Sequence, residues 1–309
     1  GHNALTANTT GASNSAFGST ALDANTTGSN QTAIGVGALS ACTTGESNTA
    51  VGQASLSSLT TANDNTAIGR AALVSCNSGQ NTALGYYAGQ SVSTGTHNTL
   101  VGYNAAIAIT TGSDNTAIGS EALDAVTTGS YNTAVGARAL GASTGSGSCA
   151  VGEDALLTVT TGTQNIAMGQ SAMRLLSTGN YNIAIGANAI AADFSGNNNT
   201  AVGHGAMNTN VSSNNTAFGF NALYGVTTGD SNVAIGGYCM ANATVTASNN
   251  TAVGKAAMYN VTTGAYNIAM GHDAMKNGTL TGDANAAIGA SSMASLTTGS
   301  ENNAYGRYS

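Results

Sequence analysis

Aliphatic and polar positions recur along this chain with a period of about 17 residues, marked by the glycine of an Ala-(aliphatic)-Gly triplet. The glycines run from Gly18, Gly35, Gly52 and Gly69 through Gly119, Gly136 and Gly152 to Gly289 and Gly306, at spacings of 16 to 18 residues. One coil reads Gly-x-x-Ala-Leu-x-x-x-Thr-Thr-Gly-x-x-Asn-Thr-Ala-Ile. A helix does not fit, because nearly every coil carries two or more glycines along with β-branched residues and is too short for a helical hairpin. The Asn65-Thr66-Ala67-Ile68 stretch and its equivalents predict a short strand. The Ala-Leu pair, as in Ala122-Leu123, predicts a second extended segment. Thr127-Thr128-Gly129-Ser130 predicts a turn whose glycine supplies a positive φ. With no linker or composition break, the expected fold is all-β: a single elongated parallel β-solenoid (β-roll or β-helix) over residues 1–309, with about 18 coils. At about 4.8 Å per coil it would be roughly 85 Å long.

Three aliphatic columns are the predicted core. The residue before the repeat glycine (Ile34, Val51, Ile68, Ile118, Val135, Ile185) is expected to stack into one buried ladder, and the Leu/Met column (Leu22, Leu39, Leu73, Leu123, Met173, Met207, Met258, Met275) into a second. A third, partial column holds Leu59, Ile109, Val126, Val159, Leu176, Val226, Val261 and Leu296. Such a core is thin within one coil and grows only as each coil covers the next.

Two further columns carry small or polar residues. Alanine stands two residues before the glycine (Ala33, Ala50, Ala67, Ala117, Ala134, Ala184), with Leu100 the exception. Its small size implies close packing, against the opposite wall of a flattened coil or against a neighbouring chain. Asparagine stands four residues before the glycine, at Asn48, Asn65, Asn81, Asn98, Asn115, Asn132, Asn165 and Asn182 among others, with Gln31 and Ser148 as exceptions. Stacked amides donate to the coil on one side and accept from the coil on the other, so these residues are expected to form a structural ladder rather than a ligand site. The 16-residue coils begin at Gly69, Gly136 and Gly203, 67 residues apart, and 18-residue coils begin at Gly236 and Gly271; the shorter coils imply a shortened turn.

Composition narrows the function classes. Only 6% of residues are charged, against about 25% in typical domains. The net charge of −7, with six basic residues, disfavours nucleic acid, which needs clustered Lys and Arg. No apolar run is long enough for a membrane span. Cys42 and Cys76 share a column two coils apart, about 9.5 Å, too far for a disulfide, which needs about 4.4–6.8 Å between Cα atoms. With Cys149 and Cys239 in other columns, all four are expected to be small apolar fillers.

Candidate chemistry is sparse. Phosphate loops, dinucleotide fingerprints, His-Glu zinc pairs and Cys-x-x-Cys are absent from the sequence. His2, His97, His204 and His272 fall in separate coils, so no metal site is expected. Glu121 and Asp154 share a column two coils apart, near the upper separation of an inverting carboxylate pair, but Arg138 stands between them and a surface charge ladder is the simpler reading. No catalytic residue, cofactor-binding residue or cofactor is expected, and the chain is read as non-enzymatic. Thr pairs recur at Thr26-Thr27, Thr43-Thr44, Thr60-Thr61, Thr110-Thr111, Thr127-Thr128, Thr160-Thr161, Thr227-Thr228, Thr262-Thr263 and Thr297-Thr298. Flat Thr arrays order water in ice-binding solenoids, whereas Thr before a turn glycine also caps turns or carries O-linked sugars.

The string Asn115-Thr116-Ala117-Ile118-Gly119, followed by Ala122-Leu123 and Thr127-Thr128-Gly129, resembles the tandem repeats of phage and bacterial tail-fibre-like proteins, many of which carry a C-terminal self-cleaving chaperone domain. It is more loosely similar to the head repeats of YadA-like trimeric adhesins, which share the Ala-Ile-Gly core with a shorter period. The resemblance implies extracellular, cell-surface or virion fibres, often homotrimeric. The expected function is therefore a structural, self-assembling fibre or filament subunit such as a tail-fibre shaft. An adhesin stalk binding a glycan or cell-surface receptor and an ice-binding solenoid are the alternatives. Gly1 and Tyr305-Gly306 lie in repeat register without capping segments, so the expected partner is the chain itself, as a trimer, an end-to-end filament or part of a longer solenoid.

Overall fold

The computed structural model describes residues 1–309 apart from 193–194, 210–211 and 243–244. The described secondary structure is strand and turn throughout, in two compact units, Gly1–Asp154 and Ala155–Ser309, each a parallel β-solenoid. The first unit holds nine three-residue strands, from Ser15–Phe17 to Cys149–Val151, and the second nine more, from Ile166–Met168 to Asn303–Tyr305. Within each unit the strands pair in chain order, in parallel and in repeat register. Thr66 lies opposite Thr82, Ala67 opposite Ala83 and Ile68 opposite Leu84; Ile183, Ala184 and Ile185 face Thr200, Ala201 and Val202.

The strands are turned the opposite way from expectation. Successive strand side chains point to opposite faces, so in a three-residue strand only the middle one enters the coil if both flanks face out. That middle residue is alanine. Ala33, Ala50, Ala67, Ala117, Ala134 and Ala184 are fully buried, whereas Ile34, Ile68, Ile118 and Ile185 are 42%, 39%, 41% and 39% exposed and Val51 and Val135 are half-buried. The residue before the glycine is therefore a surface row and not a buried ladder. The alanine column packs against the opposite wall, so its size reflects the coil interior and not a neighbouring chain.

The opposite wall is the Leu/Met column. Leu22, Leu39, Leu73, Leu123, Met173, Met207, Met258 and Met275 are all fully buried, as are Leu59, Ile109, Val126, Val159, Leu176, Val226 and Val261 of the third column; Leu296 is half-buried. The one non-alanine in the strand column shows how the walls meet. Leu100 is fully buried, and in the coil starting at Gly85 the position normally held by leucine is Gly89. A Cβ on Gly89 would sit 2.6 Å from Leu100 Cδ1 and 2.9 Å from Leu73 Cδ2. The large side chain has changed walls, and the pair holds one methyl group less than the consensus Ala and Leu.

The Ala-Leu segment is not extended. Leu123 has φ 56° and Glu121 φ 57°, and the equivalent positions in other coils, among them Asn104, Ala106, Arg138 and Leu140, are likewise left-handed. Such residues incur local strain but point alternate N–H groups to the two neighbouring coils: Glu121 donates to Tyr103 O at 2.9 Å and Leu123 to Ala139 O at 3.0 Å. The Ala122 N–H closes a turn onto Gly119 O. Backbone groups are thus satisfied between coils without a second sheet.

The turn glycine also has a different cause from the one expected. Gly129 is not in the left-handed region; Tyr131, two residues on, takes that role with φ 61°. What Gly129 provides is room, since a Cβ there would lie 2.4 Å from Gly145 O of the next coil. Gly119 needs both properties, with φ 141° and a Cβ position 2.4 Å from Gly136 O. The 16-residue coils do have a shortened turn. In them the Asn amide donates to a carbonyl 13 residues ahead, as Asn65 to Ser78 O and Asn132 to Gly145 O, where Asn98 and Asn115 reach 14 residues to Gly112 O and Gly129 O.

Candidate functional surface

The asparagine column lies inside the coil, fully or almost fully buried except at its ends, where Asn14 is half-buried and Asn302 exposed. Each amide is held by its neighbours in the stack. Asn115 Nδ2 donates to Asn98 Oδ1 (3.1 Å) and Gly129 O (3.0 Å), while its Oδ1 accepts from the Asn132 N–H at 3.0 Å. Asn48 donates to Ala62 O and Asn81 to Gly95 O, and Asn65 donates to Asn48 Oδ1. In the second unit Asn165 donates to Gly179 O, and Asn182 to Asn165 Oδ1 and Gly196 O. An amide so engaged has nothing left to offer a ligand; its chemistry is to satisfy the buried turn carbonyls that the glycines bring close.

The Thr pairs belong to the turns. The first hydroxyl of a pair donates to a backbone carbonyl one coil on: Thr26 to Thr43 O, Thr43 to Thr60 O, Thr110 to Thr127 O, Thr160 to Ser177 O and Thr262 to Leu280 O, at 2.9–3.3 Å. They do not form a flat strand array. A different Thr column does, one that sequence reasoning assigned to a strand but not to a face.

That column is the first strand residue. Thr32, Thr49, Thr66, Thr82, Thr99, Thr116 and Thr133 flank the buried alanines on the outward side and are half-buried or exposed. Their hydroxyls make no hydrogen bond among the described residues. Beside them runs the aliphatic row, one residue per coil, so each unit presents a two-row face at the strand spacing of about 4.8 Å. In the second unit the rows include Ile166, Met168, Ile183, Ile185, Phe218, Ile268 and Met270. No strand position on either row carries an ionisable carboxylate or base. The alternation Thr-Ala-Ile was legible; its sidedness was masked because the larger apolar residue faces solvent.

Of the two carboxylate candidates, Asp154 belongs to a surface ion cluster and Glu121 lies outside it. Arg138 Nε lies 2.7 Å from Asp154 Oδ1 and its Nη2 3.1 Å from Glu153 Oε1, which holds the guanidinium proton more firmly than usual, Asp154 contributing most. The partner next to Asp154 is thus Glu153, and Glu121 lies instead near Asp124. Burial, and then the charge of Glu121, push the Asp124 carboxyl above its ordinary range.

Among the described residues, no group of three or more His, Cys, Asp or Glu is placed to hold a metal ion, and all four cysteines are free. Cys42, Cys76 and Cys239 are buried fillers, and burial raises the Cys239 thiol to about 12. Cys149 differs from the expected filler role: it takes the strand's first position, in the outward Thr row, and is half-buried. Among the described residues no helix is long and apolar enough to cross a membrane. These features define a parallel β-solenoid whose most regular surface is an uncharged sheet face. No protein-family model matches the chain, and no curated relative matches it either.

Proposed function

We propose that the protein is a non-enzymatic, self-associating structural subunit of an extracellular or virion fibre, with the outward sheet face as the contact surface between copies. The observation that carries this is the uncharged, mostly aliphatic row. Contiguous exposed apolar surface on a protein marks an interaction site, and the strand edges of a solenoid are already used between coils. Covering a side chain that is about 40% exposed gains on the order of 0.6–1.2 kcal/mol. Nine coils give a gross of about 5–11 kcal/mol, against about 4–15 kcal/mol lost on association. A short stretch of face therefore does not suffice, and the repeat number sets the strength of assembly. Two copies placed with parallel axes bring row against row at a common spacing, a symmetry that cyclic dimers and trimers share.

Sedimentation of the chain beside an Ile68→Lys/Ile118→Lys variant tests this. The expected result is a concentration-dependent assembly that the variant loses while keeping its circular dichroism spectrum. A native chain that stays monomeric at high concentration, or a variant that assembles as before, would refute it. A second reading rests on the Thr row. Free hydroxyls at one coil spacing beside aliphatic groups suit ordered water, so the same face fits an ice-binding solenoid. Thermal hysteresis with faceted crystals, lost on Thr66→Lys, would favour that reading over the fibre.

A further inference from the structure

Aromatic residues make up 5% of the chain, and none of those described is in the core. They gather instead on the surface. One gathering encloses a groove of about 300 Å³ lined by Asn221, Tyr224, Tyr238, Ala241, Asn242 and Tyr259, all within the second unit.

The repeat explains its shape. Tyr224 and Tyr259 occupy the same column, five residues after Gly219 and Gly254, and the coil between them has Ala241 there. Two tyrosines are thus two coils apart, about 9.5 Å, over an alanine floor. Van der Waals contact on both sides of an inserted ring takes about 7–8 Å, so the slot admits one flat or chair-shaped ring. Tyr238 forms a side wall. Its ring is braced edge-on by Phe220 at 5.2 Å, which in turn stacks on His204 at 5.4 Å, and its N–H is tied to Phe220 O at 2.8 Å. Asn221 is half-buried, and its amide has no partner among the described residues. Gly205 leaves the space over it: a Cβ there would meet Asn221 Oδ1. The hydroxyls of Tyr224, Tyr238 and Tyr259 are likewise unpaired.

The geometry points to a binding site for a neutral oligosaccharide, one sugar ring lying between Tyr224 and Tyr259. Sugar C–H faces pack on aromatic rings, and sugar hydroxyls need donors and acceptors around the rim. The groove supplies both. Among the described residues its lining holds no carboxylate, amine or guanidinium, so it offers no counter-charge for a phosphate or sulfate, and the acidic chain disfavours anions further. A site of this size with a few convergent polar groups is the usual form of a small-molecule pocket.

Titration of the full chain with maltohexaose, cellohexaose, laminarihexaose and chitohexaose tests it, read by saturation-transfer NMR and tyrosine fluorescence, which no tryptophan obscures. Adenosine monophosphate is the competing flat ring. At least one hexasaccharide is expected to bind, about tenfold weaker after Tyr224→Ala, equivalent to about 1.4 kcal/mol, and within about threefold for Tyr224→Phe. Ala241→Leu, at a half-buried floor position that faces the open groove, should block the slot with little change in thermal unfolding. Tyr103→Ala, in the first unit, should change nothing. Failure of all four sugars to bind, tighter binding of adenosine monophosphate, or binding indifferent to both Tyr224→Ala and Ala241→Leu would overturn the assignment. Assembly by sedimentation is unaffected in either case, so this result and the fibre reading stand or fall separately.

Discussion

Gly89 and Leu100 offer a test of how the two walls of the coil meet. In the native chain Leu100 fills the space that Gly89 leaves, and Ala106 in the next coil is also small. Leu100→Ala removes a fully buried side chain whose neighbour cannot expand, so a loss of about 2–5 kcal/mol is expected from the cavity. Gly89→Leu puts a branched side chain where even a Cβ comes within 2.6 Å of Leu100 Cδ1, and overpacking costs about 1–3 kcal/mol or more. The double variant recreates the Ala-plus-Leu pair of the other coils. Gly89 has φ 62°, close to the 51–56° of Leu73 and Leu123, so leucine fits there without new backbone strain. The double variant should therefore return to within about 1 kcal/mol of the native chain, a coupling of several kcal/mol where distant pairs add to within about 0.5. Urea unfolding of all four proteins measures it. Additive losses in the double variant would refute the claim that the strand column and the Leu column share one space.

Other outcomes follow from the same geometry. Asn115→Ala orphans the buried Gly129 carbonyl and the Asn132 N–H, at about 1–3 kcal/mol each; hydrogen exchange at the Asn132 amide should accelerate by roughly five- to 150-fold, and full retention of protection would be inconsistent with the ladder. Leu123→Ala should lose about 2–5 kcal/mol, but Ile118→Ala, 41% exposed, should lose less than about 1 kcal/mol in the isolated chain; equal losses would restore the buried-ladder reading. Asp124 has its folded pKa raised, by burial first and Glu121 second. The folded state then binds the proton more tightly, so stability falls as pH rises through the raised value. Asp124→Asn should raise the melting temperature at neutral pH, with the gain vanishing below about pH 4, where both states of the native carboxyl are protonated.

The period, the parallel register and the Leu/Met column were legible because a single position repeated faithfully enough for stacking to be the only economical explanation. The sidedness of the strand was not. Hydropathy places Ile68 inside and Ala67 outside, and only the room left by the facing leucine reverses that order. The left-handed residues were hidden for a related reason. Glu121, Leu123 and Tyr131 carry none of the usual glycine or asparagine signal, because the constraint acts between coils, through hydrogen bonds to the layers on either side, and not within a local turn. Turn glycines such as Gly129 were visible but misattributed, since a sequence does not separate a need for positive φ from a need for an absent Cβ. The groove at Tyr224 and Tyr259 was readable in principle: two tyrosines two coils apart, with an alanine between them in one column, are a pattern that the repeat register holds.

The exposed aliphatic row follows from the small interior. A coil whose opposite wall is already filled by leucine has room for only one methyl group per strand. The strand must still be β-branched or apolar at its flanks to favour an extended backbone, and those flanks can only point outward. Local strand propensity thus places isoleucine and threonine on the surface whether or not a partner is there. What propensity does not require is that every coil avoid charge on both rows. An isolated solenoid gains solubility from an occasional lysine or glutamate on an exposed sheet, and this chain does place its charges elsewhere, as at Arg70, Glu121 and Asp230. Their exclusion from the strand rows is the part of the pattern that folding of a single chain does not require, and it is the part that the proposed contact surface between copies would account for.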